Sequence, residues 1–183
     1  MTLTRSSLRG NVPFALPSDL ETAAIIRLKE GRQEEFRKAI ALMRQRSSGA
    51  RSLEEVLIWG RLATRDATPA ADLHELLSLA RQADDRFHSP STLHLLAAVH
   101  FRLGRFAESI AAADRSAARH EADALIEDRI FRAMAYQRMG NPVDARAEYG
   151  KVIELLGQDS NASWRRQVEM DILKREAEKL ILD

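Results

Sequence analysis

The chain contains no cysteine. Disulfides, thiolate-held zinc and thiol nucleophiles are therefore excluded together, and a reducing, cytoplasmic location is the expectation. Aromatic residues make up only 5%, so a core must be filled by aliphatic side chains and alanine. Five prolines and eight glycines leave few interruptions in 183 residues. Charge of neither sign prevails, since 28 basic against 27 acidic residues leave a net +1. No bulk attraction to nucleic acid or to an anionic membrane is expected from that balance. The basic residues are 23 Arg and 5 Lys, an excess read as codon composition and not as recognition. No apolar run approaches the roughly 20 residues that span a bilayer. The start, Met1-Thr-Leu-Thr-Arg5, is not followed by the apolar stretch of a signal peptide. Residues 1–17, with Gly10, Pro13 and Pro17, are expected to form a flexible leader. Without an export signal, the sequon Asn161-Ala-Ser163 is not expected to carry a glycan.

Signatures of catalysis are equally scarce. Gly-x-Ser-x-Gly, a phosphate-binding Walker loop and the dinucleotide fingerprint are all missing. The histidines are His74, His88, His94, His100 and His120, and no two stand at the i, i+4 spacing of a helical metal motif. His94 and His100 lie six apart, on different faces of one helix. The carboxylate pairs Glu54-Glu55 and Asp84-Asp85 point in different directions and read as solvated surface. No enzymatic activity, cofactor or metal is expected.

What the chain does have is a repeat. Gly31, Ala67, Gly104 and Gly140 are separated by 36, 37 and 36 residues, with similar helical text around each. A period in this range marks one supersecondary unit stacked on its copies, each burying its apolar face against a neighbour. Seven residues before the anchors stand Ala24, Gly60, Ala97 and Ala133, all small enough for close helix approach. Five before them come the apolar Ile26, Leu62, Val99 and Ala135, and two before them the basic Lys29, Arg65, Arg102 and Arg138. Helix starts follow the same rhythm. Ser18-Asp-Leu-Glu21 and Ser52-Leu-Glu-Glu55 have the capping-box pattern, while Ser89-Pro90, Thr68-Pro69 and Asn141-Pro142 place a cap before an N1 proline. With 45% hydrophobic residues and no sustained strand-like alternation, the fold class is all-α. Helix pairs are expected at about 18–47, 52–85, 89–120 and 123–157, followed by a helix at 162–182.

The stretch Leu93-His-Leu-Leu-Ala97, then Phe101, Gly104, Phe106 and Ile110, resembles a tetratricopeptide repeat. So does Ile130, Ala133, Tyr136, Gly140, Ala145 and Tyr149, and Trp59-Gly60 supplies the large–small dipeptide of that family. The likeness spans about residues 18–157 and is densest in the last two pairs. It differs at His100, Ser109 and Ala113, and the closing proline of each repeat is missing. His100 stands at an aromatic packing position, which makes it a core histidine. The resemblance implies a right-handed α-solenoid of about four antiparallel pairs and a protein- or peptide-binding role. Residues 133–149 and 164–180 also resemble the repeat-containing tails of some bacterial serine/threonine kinases and multidomain regulators, although no kinase element is present.

The same resemblance implies that the first helix of each pair lines a concave groove. Its candidate ligand contacts are Lys29, Arg65, Arg102 and Arg138, with Arg61, His94, Phe101, Met134 and Gln137 from neighbouring registers. Mixed cations and apolar patches suit an extended or helical peptide with acidic groups. The asparagines with which the family clamps a terminal carboxylate are not found here. A plainer reading competes, since each basic residue of the column lies in the last helical turn, where the dipole favours a cation and Glu30 or Asp66 could pair with it. Beyond 162, Trp164, Val168, Ile172, Leu173, Ala177, Leu180 and Ile181 form an apolar stripe opposite Arg165, Arg166, Lys174, Arg175 and Lys179. A helix that caps the array is expected there, with Trp164 as packing anchor. Three functions follow: a peptide-binding scaffold, a self-associating module that forms a homo-oligomer, and a binder of phosphate-bearing small ligands or nucleic acid. The first leads.

Overall fold

The computed structural model describes residues 17–50, 52–65, 70–119, 126–158 and 163–183. The expected leader up to 16, Asp66, the anchor Ala67, Thr68-Pro69, His120 and the sequon asparagine Asn161 lie outside the described residues. The elements are α1 (Pro17–Lys29), α2 (Gln33–Ala50), α3 (Leu53–Ala63), α4 (Ala70–Phe87), α5 (Pro90–Arg102), α6 (Phe106–Arg119), α7 (Ile126–Arg138), α8 (Pro142–Gln158) and α9 (Trp164–Ile181). No strand occurs among the described residues, and none of their helices is long and apolar enough to cross a membrane.

Each helix of the first eight packs on its successor, and the odd-numbered ones also pack on each other: α1 on α3, α3 on α5, α5 on α7. The result is a solenoid of helix pairs. The first helices form one continuous row, and each second helix wedges between the first helix of its own pair and that of the next.

The turns explain the regular register. At Gly104 the backbone adopts φ +72°, its N–H donates to the Phe101 carbonyl, and the Arg105 N–H reaches back to His100. This is a Schellman closure, in which the residue past the helix end must be left-handed and is therefore glycine. The same two bonds recur around Gly31 and Gly140. Three identical closures send three second helices off in the same direction. Starts are fixed by side chains: Ser52, Ser89 and Ser163 each accept a first-turn N–H at 3.2–3.3 Å, and Asn141 accepts that of Asp144 at 3.4 Å. The Ser18–Glu21 capping box does not form. Helix α1 already begins at Pro17, and the Glu21 side chain is buried in ion pairs with Arg61 and Arg165.

Packing follows the repeat columns. Ala24, Ala97 and Ala133 are fully buried. Gly60 is the tightest of the series, since a β-carbon there would lie 2.2 Å from Leu95 Cδ1 on α5. Its neighbour Trp59 is also fully buried. Of the three departures from the family pattern, Ser109 is buried and donates from Oγ to the Ala97 carbonyl at 2.8 Å, so its hydroxyl ties the two helices of one pair. Between pairs, Asp84 at the end of α4 accepts from Thr92, Arg115 and Arg119 at 2.9–3.1 Å. Burial alone would raise its carboxyl, but the Thr92 hydroxyl and the two guanidinium groups hold it below the usual range.

Helix α9 departs from a simple cap. It packs on α7 and α8, as a terminal helix should, but it also reaches α1 at the opposite end of the array. Val168, Met170, Leu173, Ala177 and Ile181 are buried. Trp164 is 51% exposed and is no anchor. It precedes the part of the helix that touches the row, and Arg165 and Arg166, expected on the outer side, turn inward instead to Glu21 and Glu127.

Two substitutions check these statements. Gly60→Ala gains helix propensity of about 1 kcal/mol but overpacks against Leu95 by about 1–3 kcal/mol, so a net loss is expected in urea denaturation; an unchanged midpoint contradicts the close approach. His100 is buried, and that burial, reinforced by Arg81 and Arg105, lowers its pKa from 6.5. A depressed base contributes stability that is present above the unfolded pKa and lost as pH falls through it. His100→Phe is therefore expected to melt above wild type at pH 5 by more than it does at pH 8.

Candidate functional site

The basic column occupies four different environments. Lys29 and Arg138, on the outer pairs, are exposed. Arg65 is buried, just past α3, and Arg102 is half-buried at the end of α5. The expected Glu30 partner of Lys29 pairs with Arg27 and Arg32 instead. What covers the two inner arginines is α9. Arg102 donates from Nη2 to Glu176 at 2.6 Å, with Nη1 bonded to the other carboxylate oxygen. Its Nε donates to the Thr64 carbonyl at the C-cap of α3 at 2.7 Å, and its guanidinium lies 5.5 Å from the Phe101 ring. One side chain thus joins α3, α5 and α9.

The neighbouring candidates also find partners within the row. Arg61 donates to Glu21 of α1 at 2.7 Å, and His94 Nδ1 donates to Asp128 of α7 at 2.7 Å. Phe101 stacks at a tilt against Phe106 and Phe131, both 5.7 Å away, and Met134 is fully buried. Gln137 is half-buried and its carbonyl oxygen has no hydrogen-bond partner. Seven of the nine candidates therefore lie in or under one row, and Lys29 and Arg138 mark its two exposed ends.

Arg65 is the anomaly. It is only 6% exposed, yet Nε and Nη1 have no hydrogen-bond partner. Burial pushes its pKa down, and Glu169 of α9 supplies the strongest opposing attraction. Glu169 is its mirror image: burial pushes its carboxyl above the usual range, with Arg65 the first influence against that shift, and its Oε1 is also unpartnered. Two buried opposite charges attract each other across the α9 contact without closing a hydrogen bond. Beside them is a cavity of about 330 Å³ between α3, α5, α7 and the first turn of α9, with Leu57, Leu95, Arg61, His94 and Arg166 in its walls. No cluster of metal-ligating side chains exists among the described residues.

Sequence reasoning missed the acidic half of this arrangement. Glu169 and Glu176 lie seven apart at the margin of the α9 apolar stripe, two turns along one side of a helix. That spacing was the available signal.

Fold and face together define a helical-repeat protein with a continuous row of first helices. A tetratricopeptide-repeat family model matches residues 90–115 and 129–150. Both matched stretches lie within the third and fourth pairs and support reading those pairs as tetratricopeptide repeats. No curated protein and no solved structure matches it.

A buried charge pair without direct bonds is replaced at little cost by apolar groups, whereas removing one partner strands the other. Arg65→Met/Glu169→Met is thus expected to be neutral or to stabilise by about 1–4 kcal/mol, and Arg65→Met alone to destabilise by about 1–3 kcal/mol. Urea midpoints of wild type and these two variants decide it; a double variant weaker than Arg65→Met contradicts the geometry.

Proposed function

We propose that the chain is a non-catalytic protein-binding scaffold whose ligand surface is the row of first helices, and that its ligands are peptide segments bearing carboxylates. The observation that supports this reading is the grip of Arg102 on Glu176: this face already holds an amphipathic helix by a bidentate ion pair over apolar packing. Charge-assisted, two-point bonds of this kind are about twice as strong as neutral ones and fix orientation. Tetratricopeptide repeats generally mediate contacts between proteins, which agrees. The exposed Lys29 and Arg138 extend the same positive column beyond the covered part. A cytoplasmic setting belongs to the same proposal and rests on the cysteine-free composition. The likeness of residues 133–149 and 164–180 to kinase-linked tails would make the scaffold a regulatory part of a larger signalling protein.

Self-association is the second reading. Trp164 is 51% and Leu182 60% exposed, at the two ends of α9, and they offer apolar contact to another copy. Concentration-dependent mass in light scattering that Trp164→Ser/Leu182→Ser abolishes is its signature.

The scaffold reading is tested with Arg102→Gln/Arg138→Glu, checked for wild-type helicity by circular dichroism. A protein captured by wild type is expected to bind this variant at least about tenfold more weakly, the loss of a charge-assisted bond. Equal binding removes the row from consideration as the ligand surface.

A further inference from the structure

The occupant of the row comes from the same chain. In chain order, Arg165 meets Glu21 of α1, Glu169 faces Arg65 after α3, and Glu176 meets Arg102 of α5. Glu169 and Glu176 stand two turns apart, a rise of roughly 10.5 Å at 1.5 Å per residue. Packed helices lie about 8–10 Å apart. Two carboxylates at this spacing therefore suit two successive arginines of the column on adjacent pairs.

The fit is incomplete at one of the two points. At Arg102 the carboxylate closes two hydrogen bonds, whereas at Arg65 two guanidinium N–H groups and one Glu169 oxygen stay unpaired although all are buried. Unsatisfied buried polar atoms cost stability that a better-placed acceptor would restore. The mismatch lies beside the cavity of about 330 Å³ under the first turn of α9. Arg61 and Arg165 converge there on Glu21, and Leu57 and Leu95 supply an apolar floor. An incoming chain could begin to pair there before α9 has left.

We propose that α9 is a resident competitor for the row, displaced by an amphipathic helix of a partner protein that carries two carboxylates two turns apart, one reaching each of Arg65 and Arg102. This rests on the scaffold reading above and adds the ligand's pattern and its control. Apparent affinity for the partner is the intrinsic affinity multiplied by the fraction of molecules with α9 displaced. The Arg102–Glu176 pair then has different effects according to which side is removed. Loss of Arg102 removes the ligand contact and the competitor's hold together, so the two offset; loss of Glu176 removes only the competitor's hold.

The test uses the full chain and, as probe, a fluorescein-labelled synthetic peptide of residues 163–183. Glu176→Gln is expected to bind the probe at least about tenfold more tightly than wild type does, because more of the molecules are open. Arg102→Gln/Glu176→Gln is expected to return to wild-type affinity or below. Hydrogen exchange on the unmodified chain gives an independent readout that needs no variant: α9 amides should exchange at least about tenfold faster than those of α5, by a separate local opening. Equal probe affinity for wild type and Glu176→Gln, or α9 exchanging only in the opening that exposes α5, overturns the proposal. The two readings fail separately. If a partner is lost on Arg102→Gln/Arg138→Glu but unaffected by Glu176→Gln, the scaffold stands and the competitor falls. If the probe behaves as expected while no partner depends on Arg102, the competitor stands and the scaffold reading falls.

Discussion

The guanidinium of Arg102 is the point at which α3, α5 and α9 are tied together. It satisfies a carbonyl at the C-cap of α3, lies over the Phe101 ring of its own helix, and fixes Glu176 of α9. Those three tasks need different properties of arginine: a planar fork for the carboxylate, a flat face for the ring, and a further N–H in the same plane for the carbonyl. Lysine could meet one of them at a time. Its helix-end position follows from the repeat itself, and from there it reaches back to the C-cap of α3 in the preceding pair.

The buried charges around α9 show how unevenly the contact is made. Where Arg102 and Glu176 are half-exposed, water shares the cost of ionisation and a short bidentate pair is favourable. Where Arg65 and Glu169 are almost fully enclosed, desolvation works against both, and neither has direct hydrogen bonds to offset it. A helix selected only to seal this face would carry an apolar residue at 169. A carboxylate there is intelligible if the face has to recognise carboxylates on more than one helix.

Much of the fold was legible because repetition multiplies weak signals. One glycine at a helix end says little; Gly31, Gly104 and Gly140 at a common period, each two places after a cation and seven after a small residue, specify a turn, a register and a close helix contact. The caps at Ser52, Ser89 and Asn141 were equally readable, because they act within three residues of sequence. Glu21 defeated local reading: its spacing from Ser18 satisfies a capping pattern, but partners 40 and 144 residues away outcompete a cap. Trp164 failed for a related reason. Helical spacing assigns it to the stripe of Val168 and Leu173, yet only the path of α9 over the row decides where that stripe begins to be covered. The candidate site was legible as a column of cations, and its covering was not, because nothing in a helix's own periodicity tells which distant surface it will face.

The contact between Glu21 and Arg165 joins residues 144 positions apart. In a linear array each unit senses only its neighbours, so the terminal units fray first and melting spreads inward one boundary at a time. Tying the last helix to the first turns that open line into a circuit, in which no unit is terminal. Loss of any one pair then loosens its neighbours from both directions. Apart from the opening of α9 itself, the paired helices should lose structure together while α9 is docked, and in stages once it has left. Slow, late formation of that distant contact is the expected counterpart in folding, since chain closure over such a separation must precede its reward.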